Sequence, residues 1–195
     1  MVSDPLILAF DTSAAHCAAA LLRGDEILAS KVVEMSRGQA EELMPLLETL
    51  LTDQGHFWND LSAIGVGIGP GNFTGIRISV SAARGLSLAL NIPAIGVSTF
   101  DATRWGHSSN CVATVPAPRD HIYVLDQASG KAPHLTPAPY TSEREILSPP
   151  TGDILASNIA RCASARLGAD NPRPAPLYIR SADAAPARDQ PPKIL

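Results

Sequence analysis

The stretch that decides the fold is LSAIGVGIGPGNFTGIRISVSAARGLSLAL, residues 61–90. Its first eight residues form a short apolar run of the kind found in buried strands. Three glycines then fall within seven residues, and small and apolar residues fill most of the remainder. We predict a strand over 61–68, a glycine-rich loop over 69–75 and a helix over 75–90, which is a strand–loop–helix unit of an α/β sheet.

The residues before this stretch supply the rest of a sheet. A buried strand over 6–10 ends in a polar turn, and strands over 17–22 and 26–34 are joined by the hairpin turn Arg23-Gly24-Asp25. Apolar residues recur at helical spacing over 39–51. These residues therefore predict three strands followed by a helix.

The residues after the stretch continue the alternation. A strand is predicted over 92–97, and Ser98 is placed to cap a short helix over 100–106. The order becomes β-β-β-α-β-α-β-α, with antiparallel strands first and parallel crossovers afterwards. We predict an α/β fold with a mixed sheet covered by helices, the pattern of one ribonuclease-H-like lobe.

Prolines divide the chain into two parts. Of the 17 prolines, 13 fall after residue 110. Proline removes backbone donors and interrupts regular elements, so only strands over 112–115 and 121–126 and a helix over 154–166 are predicted there. We expect a ribonuclease-H-like lobe over 1–108 and a smaller, proline-rich second lobe over 109–195.

Composition excludes several classes of protein. Hydrophobic residues make up 45% of the 195 residues, and the formal net charge is −4, which disfavours a grip on nucleic acid by this chain alone. Three widely separated cysteines indicate neither a disulfide framework nor a zinc site. The longest apolar stretch is broken by two arginines and a proline, and no basic leader precedes the first strand. We expect a cytoplasmic protein without a membrane segment.

The glycine-rich loop is the strongest candidate for a ligand site. Its glycines allow backbone amides to approach another group closely, and the following helix N-terminus favours an anion. A phosphate or nucleotide contact and a tight strand-to-helix connection without a ligand are equally compatible with this pattern. The candidate contacts in the loop are Gly69, Gly71, Asn72, Thr74 and Gly75.

The turn Asp11-Thr12-Ser13, at the end of the first strand, is a second candidate. In actin-like ATPases an acidic residue in this place orients magnesium and the hydroxyls contact phosphate, but an ordinary strand-ending turn has the same residues. Such an ATPase also needs a second phosphate loop. The best candidate, residues 126–130, looks like a plain hairpin turn, which argues against autonomous phosphoryl transfer.

Other chemistry finds little support. The five histidines have no HExxH spacing, His16 and Cys17 point to opposite faces of a predicted strand, and no GxSxG is present. Neither a Walker A loop nor GxGxxG can be aligned. We predict no catalytic residue and no metal site.

The two long predicted helices are candidates for a docking surface. The helix over 75–90 has small residues on several sides, which lets other backbones approach; burial between its own sheet and the neighbouring helix is the alternative. We expect Ala83→Glu or Gly85→Glu to weaken partner binding. The predicted partner-binding residues are Leu43, Leu46, Leu47, Leu50, Ile76, Ser79, Val80, Ala83 and Ser87.

Three segments, 7–13, 69–78 and 95–99, resemble in order and spacing the TsaB family, a group of glycoprotease-like YeaZ proteins. Residues 175–180 are similar to the closing Pro-x-Tyr-x-Arg segment of that family. The resemblance covers 6–105 well and 124–170 thinly. It implies a two-lobed actin-like ATPase fold with a reduced second lobe.

The resemblance also implies a function. Family members are non-catalytic scaffolds that bind the transferase TsaD through the two helices of the first lobe and act with the ATPase TsaE. The complex transfers threonylcarbamoyl to the adenosine next to the anticodon of tRNA. By this resemblance tRNA is met only through the complex, the chain requires no cofactor, ATP or ADP can lie at the partner interface, and the chain alone can form a homodimer.

Two departures from the family accompany the resemblance. Asn72 stands where the family has serine, and Pro116-Ala117-Pro118 replaces an Asp-Ala-Arg that precedes a strand tyrosine. An enzyme remains the alternative, either a glycoprotease-like peptidase or a small ATP-dependent phosphotransferase.

Overall fold

A computed structural model describes residues 4–179, which form two sheets and four α-helices. The first sheet has the strand order β3-β2-β1-β4-β5. The strands and helices of this half are β1 (Leu6–Asp11), β2 (His16–Arg23), β3 (Glu26–Glu34), α1 (Gln39–Asp53), β4 (Ala63–Gly67), α2 (Phe73–Leu90), β5 (Ala94–Val97) and α3 (Thr99–Arg104).

The strand directions confirm the predicted mixed sheet. β1 pairs antiparallel with β2, and β2 with β3, because short turns join them. β1 and β4 run parallel, with Phe10 opposite Val66, and β4 runs parallel to β5. Parallel pairing requires a crossover, and α1 and α2 provide the two crossovers. The carboxyl ends of β1 and β4 therefore lie side by side.

Alternation along β1 sorts its side chains between two cores. Leu6, Leu8 and Phe10 pack on the face covered by α1 and α2, while Ile7 and Ala9 pack on the opposite face. That opposite face is covered by α4 (Gly152–Ala165), which the chain reaches only after completing the second sheet. The first sheet is thus buried on both faces.

The second sheet has the order β8-β7-β6-β9. Its strands are β6 (Cys111–Ala117), β7 (His121–Asp126), β8 (His134–Pro137) and β9 (Glu145–Leu147). Ala113 and Val115 of β6 pack against Phe100 of α3, and Leu177 and Ile179 from the last described segment join the same cluster.

Comparison with the predicted elements shows where sequence patterns suffice. All five strands and three helices of the first half are present, and Ser98 caps α3 by accepting a hydrogen bond from the Asp101 amide at 3.0 Å. β8 and β9 were not predicted; each has at most four residues, which is too short for a periodic pattern. The division at residue 108 stays a prediction, and α4, from the second half of the chain, packs on the first sheet.

Within residues 4–179, no helix is long and apolar enough to span a bilayer.

Candidate functional site

The two candidate motifs meet at the carboxyl ends of β1 and β4. The Asn72 amide donates to the carbonyl oxygen of Ser13 at 2.6 Å, and Thr12 Oγ1 donates to the carbonyl oxygen of Gly75 at 2.7 Å. The glycine-rich loop and the Asp11-Thr12-Ser13 turn are therefore partners of each other. Both motifs are visible in the sequence, but their contact is not. The parallel pairing of β1 and β4 brings them together.

The loop glycines are required by this contact. A Cβ atom on Gly71 would collide with the carbonyl oxygen of Ser13, and one on Gly75 would collide with that of Thr12. Asn72 caps α2, because its Oδ1 accepts a hydrogen bond from the Gly75 amide at 2.9 Å. Packing within the chain thus explains these glycines without a ligand, which agrees with the interpretation of the loop as a tight strand-to-helix connection.

The eight predicted nucleotide contacts are not gathered around one cavity. Ser13, Gly71 and Asn72 line a cleft of about 980 Å³ that also borders the second sheet. Thr74 lines a different groove, described below. The remaining four, Asp11, Thr12, Gly69 and Gly75, are buried and line neither cavity. Only three of the eight residues therefore share a cavity, and the nucleotide contact stays a prediction.

Asp11 is the centre of a buried polar cluster. Its Oδ2 accepts hydrogen bonds from the Ser13 amide and hydroxyl, each at 2.9 Å, and from His16 Nε2 at 2.9 Å. Its Oδ1 is buried, has no hydrogen-bond partner among the described residues and lies against the Cα of Gly67, where a Cβ atom would collide with it. Gly67 is therefore also required by Asp11.

The partnership of Asp11 and His16 was not predicted. Burial of the imidazole lowers the pKa of His16, but the hydrogen bond that His16 donates to Asp11 and the negative charges of Asp11 and Glu34 outweigh it, so that the pKa lies above its usual value. His16 also lies in the cleft wall. The sequence feature that could have predicted this pair is that Asp11 and His16 stand on either side of a short turn between two strands.

The cysteines are poor nucleophiles. All three are free and buried. Burial and the nearby carboxylates raise the pKa of Cys17 to about 12, and burial chiefly raises that of Cys162 to about 11. A thiol with such a pKa carries almost no thiolate at neutral pH.

The second candidate phosphate loop is a hairpin connection, as its sequence indicated. The Asp126 side chain accepts from the Ser129 amide and forms a bidentate ion pair with Arg144 at 2.6 and 2.7 Å. Both carboxylate oxygens of Asp126 are therefore already engaged. No group of three or more His, Cys, Asp or Glu side chains within residues 4–179 is arranged to hold a metal ion.

An apolar groove of about 420 Å³ runs between α1 and α2. Met44 is 41% exposed along it, and small side chains keep it open. It is lined by Ala40, Leu43, Met44, Thr74, Arg77, Ile78, Ser81 and Ala82. This groove leaves part of both helices uncovered by the chain's own sheet.

Most of the predicted partner-binding residues lie beneath this groove. Ser79, for example, donates a hydrogen bond to the Gly67 carbonyl in β4 at 3.1 Å. The most apolar face of each helix packs on the first sheet. The surface that remains accessible to a partner is the neighbouring face of each helix. Leu43 is buried but lines the floor of the groove, and Ser87 is half-buried and lines another pocket. The predicted partner-binding residues that are buried and do not line the groove are Leu46, Leu47, Leu50, Ile76, Ser79, Val80 and Ala83. Ala83→Glu would therefore disrupt the fold, whereas Gly85 is exposed with open space around it.

Three side chains, one of which lines the groove, stack on each other. The Arg77 guanidinium carbon lies 3.8 Å from the ring centroid of Phe73, and Arg77 Nε donates to Tyr178 Oη at 2.9 Å. The two rings are 5.2 Å apart. Tyr178 belongs to the predicted closing segment, whose Arg180 lies outside the described residues.

The sheet order, the crossover helices and the loop packed on the first-strand turn define a protein of the actin-like, ribonuclease-H-like fold. Solved structures agree. A Pseudomonas aeruginosa protein described as similar to peptidase YeaZ superposes with a TM-score of 0.70 at 25% identity, covering 90% of this chain and 100% of that one.

Sequence comparisons identify the family. Residues 27–131 match the family described as TsaD: tRNA N6-adenosine threonylcarbamoyltransferase. TsaB of Escherichia coli is 33% identical over 122 residues, and TsaB of Bacillus subtilis is 35% identical over 120 residues. Each match covers 60% of this chain and 52% of the relative. An uncharacterized protein of Mycobacterium tuberculosis is 29% identical over 198 residues, which cover 92% of this chain and 94% of that one.

The chain belongs to the TsaB/YeaZ family, within the larger family described for TsaD. Its match spans about half the length of the relatives named TsaB.

Proposed function

We propose that this chain is a non-catalytic scaffold subunit that binds a TsaD-type transferase in the groove between α1 and α2. In this proposal the complex, joined by TsaE, threonylcarbamoylates the adenosine next to the anticodon of tRNA in the cytoplasm. The relatives named TsaB are described as proteins of tRNA threonylcarbamoyladenosine biosynthesis, which supports this assignment.

The groove is the observation that carries the proposal. It is almost wholly apolar, and Met44 stands in it with 41% of its surface exposed. An open apolar surface between two helices suits the apolar face of another helix. Ala40, Ser81 and Ala82 line it with side chains small enough to let helices approach closely.

The family match suggests which partner fits. Residues 27–131 include the whole of α1 and α2, so a TsaD-type chain is expected to carry an equivalent helix pair. Two equivalent pairs can pack face to face around an approximate two-fold axis and form a four-helix arrangement. The same reasoning allows two copies of this chain to associate when no partner is present.

A scaffold role fits the internal use of polar groups in this chain. Thr12 and Asp11 are engaged in hydrogen bonds with the chain itself, and Asp126 is paired with Arg144. The chain has a net charge of −4, which disfavours direct binding to the tRNA phosphates. In this proposal tRNA therefore contacts the partner. The chain alone is proposed to require no cofactor. A bound ATP or ADP would lie at the interface with the partner.

Met44→Glu tests the proposal. The dissociation constant of the complex with the TsaD homologue of the same organism would be measured by isothermal titration calorimetry. A carboxylate buried in the apolar groove without a partner should weaken binding by about 100-fold or more. The matched control is Ile154→Glu, since Ile154 is an exposed apolar residue of α4, 48% exposed, on the opposite face of the sheet.

The control variant should bind as tightly as the unmodified chain. Equal binding by a folded Met44→Glu variant, or no binding by the unmodified chain, would overturn the proposal. Thermal melts of both variants establish that they are folded.

One observation favours the enzyme alternative, namely the cleft of about 980 Å³ beside Ser13 and Asn72. Purified chain would be assayed alone for ATP turnover and for proteolysis. Turnover that is lost in a folded Asp11→Asn variant would favour a phosphotransferase, and proteolysis by the chain alone would favour a peptidase. We expect neither activity above background.

A further inference from the structure

The stack of Phe73, Arg77 and Tyr178, hereafter the Arg77 clamp, adjoins the groove between α1 and α2 through Arg77. Arg77 is also a lining residue of that groove. Phe73 is 41% and Tyr178 is 45% exposed. Arginine and aromatic side chains are the residue types that contribute most at the centres of protein interfaces. The clamp therefore has the composition of an interface rather than of an ordinary solvent-facing surface.

The clamp fixes the position of a charge. The guanidinium lies over the Phe73 ring at 3.8 Å and 5.9 Å from the Tyr178 ring centroid, while Nε donates to Tyr178 Oη. An exposed arginine normally samples many rotamers, and holding one of them in advance lowers the entropy lost on binding. Arg77 is thus oriented before any partner arrives.

Tyr178 is itself firmly placed. The amide of Leu177 donates to the carbonyl oxygen of Ile68 at 2.8 Å. Leu177 and Ile179 pack into the cluster around Phe100 and Val115. The residues on both sides of Tyr178 are therefore anchored in the core, and its ring is left on the outer side next to α2.

The charge on Arg77 has no counterpart in the described chain. Among residues 4–179, no carboxylate lies within 4.0 Å of its guanidinium. The exposed acids of the neighbouring helix α1 are Glu41, Glu48 and Asp53, and none of them lines the groove. Arg77 is the one charged residue among the eight that line the groove.

We propose that Arg77 is a specificity-determining residue, which receives a carboxylate of the TsaD-type partner when that partner docks in the groove. Phe73 and Tyr178 are positioning residues that hold the guanidinium for this contact. The fixed positive charge then favours an orientation of the partner helix that brings a carboxylate over α2. This inference rests on the proposed function.

The test is the dissociation constant of the full chain with the TsaD homologue, measured at 50 and 300 mM NaCl. Arg77→Glu should weaken binding by about 100-fold at low salt, and Arg77→Ala by about 10- to 30-fold. Arg77→Lys keeps the charge but loses the planar stack and should lie between Arg77→Ala and the unmodified chain. Tyr178→Phe, which removes only the hydroxyl acceptor, should cost about 3-fold or more.

Arg23→Glu is the matched control, because Arg23 is exposed at the end of β2, lies outside α1 and α2 and changes the net charge equally. It should weaken binding by less than about 3-fold. The dissociation constant of the unmodified chain should rise between 50 and 300 mM NaCl, and this rise should be smaller for Arg77→Ala.

The outcomes separate this inference from the proposed function. If the unmodified chain binds and Met44→Glu does not, but Arg77→Glu and Arg77→Ala bind normally, the role of Arg77 is refuted while the docking surface stands. Equal losses in Arg77→Glu and Arg23→Glu also refute it, since they indicate a general charge effect. Should Arg77→Glu fail to fold, Arg77→Lys and Tyr178→Phe decide the question.

Discussion

Thr12 Oγ1 donates a hydrogen bond of 2.7 Å to the carbonyl oxygen of Gly75, across 63 residues of sequence. The bond is buried and joins the end of β1 to the first turn of α2. Together with the Asn72–Ser13 backbone bond, it fixes the start of α2 on the sheet edge. The groove and the Arg77 clamp both depend on this placement.

Gly75→Ala should destabilise the fold, because the new methyl group would collide with the carbonyl oxygen of Thr12. We expect a loss of about 1–3 kcal/mol in the free energy of unfolding, as for other overpacked sites. Gly85→Ala is the control within the same helix, since a Cβ atom there meets nothing within 4 Å. It should stabilise the chain by about 0.5–1 kcal/mol.

Urea denaturation of both variants measures these changes. The account of the loop is wrong if Gly75→Ala is as stable as Gly85→Ala.

Asn72→Ala should cost about 1 kcal/mol of unfolding free energy, because the Gly75 amide loses the cap that accepts its hydrogen bond at 2.9 Å. Asn72→Ser, which restores the residue usual in the family, should change stability by less than about 0.5 kcal/mol, since serine caps helices equally well. Thermal or urea unfolding distinguishes the two. Equal stability of the alanine and serine variants would show that the cap contributes little.

The His16–Asp11 pair should make stability depend on pH. Because the native pKa of His16 is raised above 6.5, its stabilising contribution is fully present below about pH 6.5 and is lost as the pH rises through the native pKa. His16→Gln should therefore lose more stability at pH 6 than at pH 9. Urea denaturation of the unmodified chain and the variant at both values measures the difference, and a loss that is independent of pH would contradict it.

The cysteines should resist modification in the folded protein. Cys17 and Cys162 have raised pKa values of about 12 and 11, and Cys111 is fully buried. Labelling with a thiol-specific disulfide reagent at pH 8 should be slower than in urea by about 100-fold or more. Rapid labelling of one cysteine in native protein would show that its segment opens readily.

The first sheet could be predicted because its elements are long and periodic. The predicted strand over 26–34 and the helix over 39–51 match β3 and α1 within two residues, and Ser98 caps α3 as predicted. β9 could not be predicted, since its three residues pair with β6 across more than 30 residues of sequence. Such pairing is set by tertiary packing and leaves no local pattern.

The site could be predicted only in part. Sequence periodicity indicates the apolar face of a helix but not what covers it. It therefore predicts Leu47 and Val80 as interface residues, although both are buried against the chain's own sheet. The exposed side is marked instead by Met44 and Arg77. The clamp joins Arg77 to Tyr178 across 101 residues, a contact that only the folded path of the last segment creates.

The central claim is that α1 and α2 present the partner-binding surface. Amide hydrogen exchange of the full chain, with and without saturating TsaD homologue, tests it most directly. Binding should slow exchange in peptides from 39–53 and 73–84 and leave α4 peptides from 152–165 unchanged. Protection confined to α4 or to the edge strand β3, with the two helices unaffected, would contradict the account.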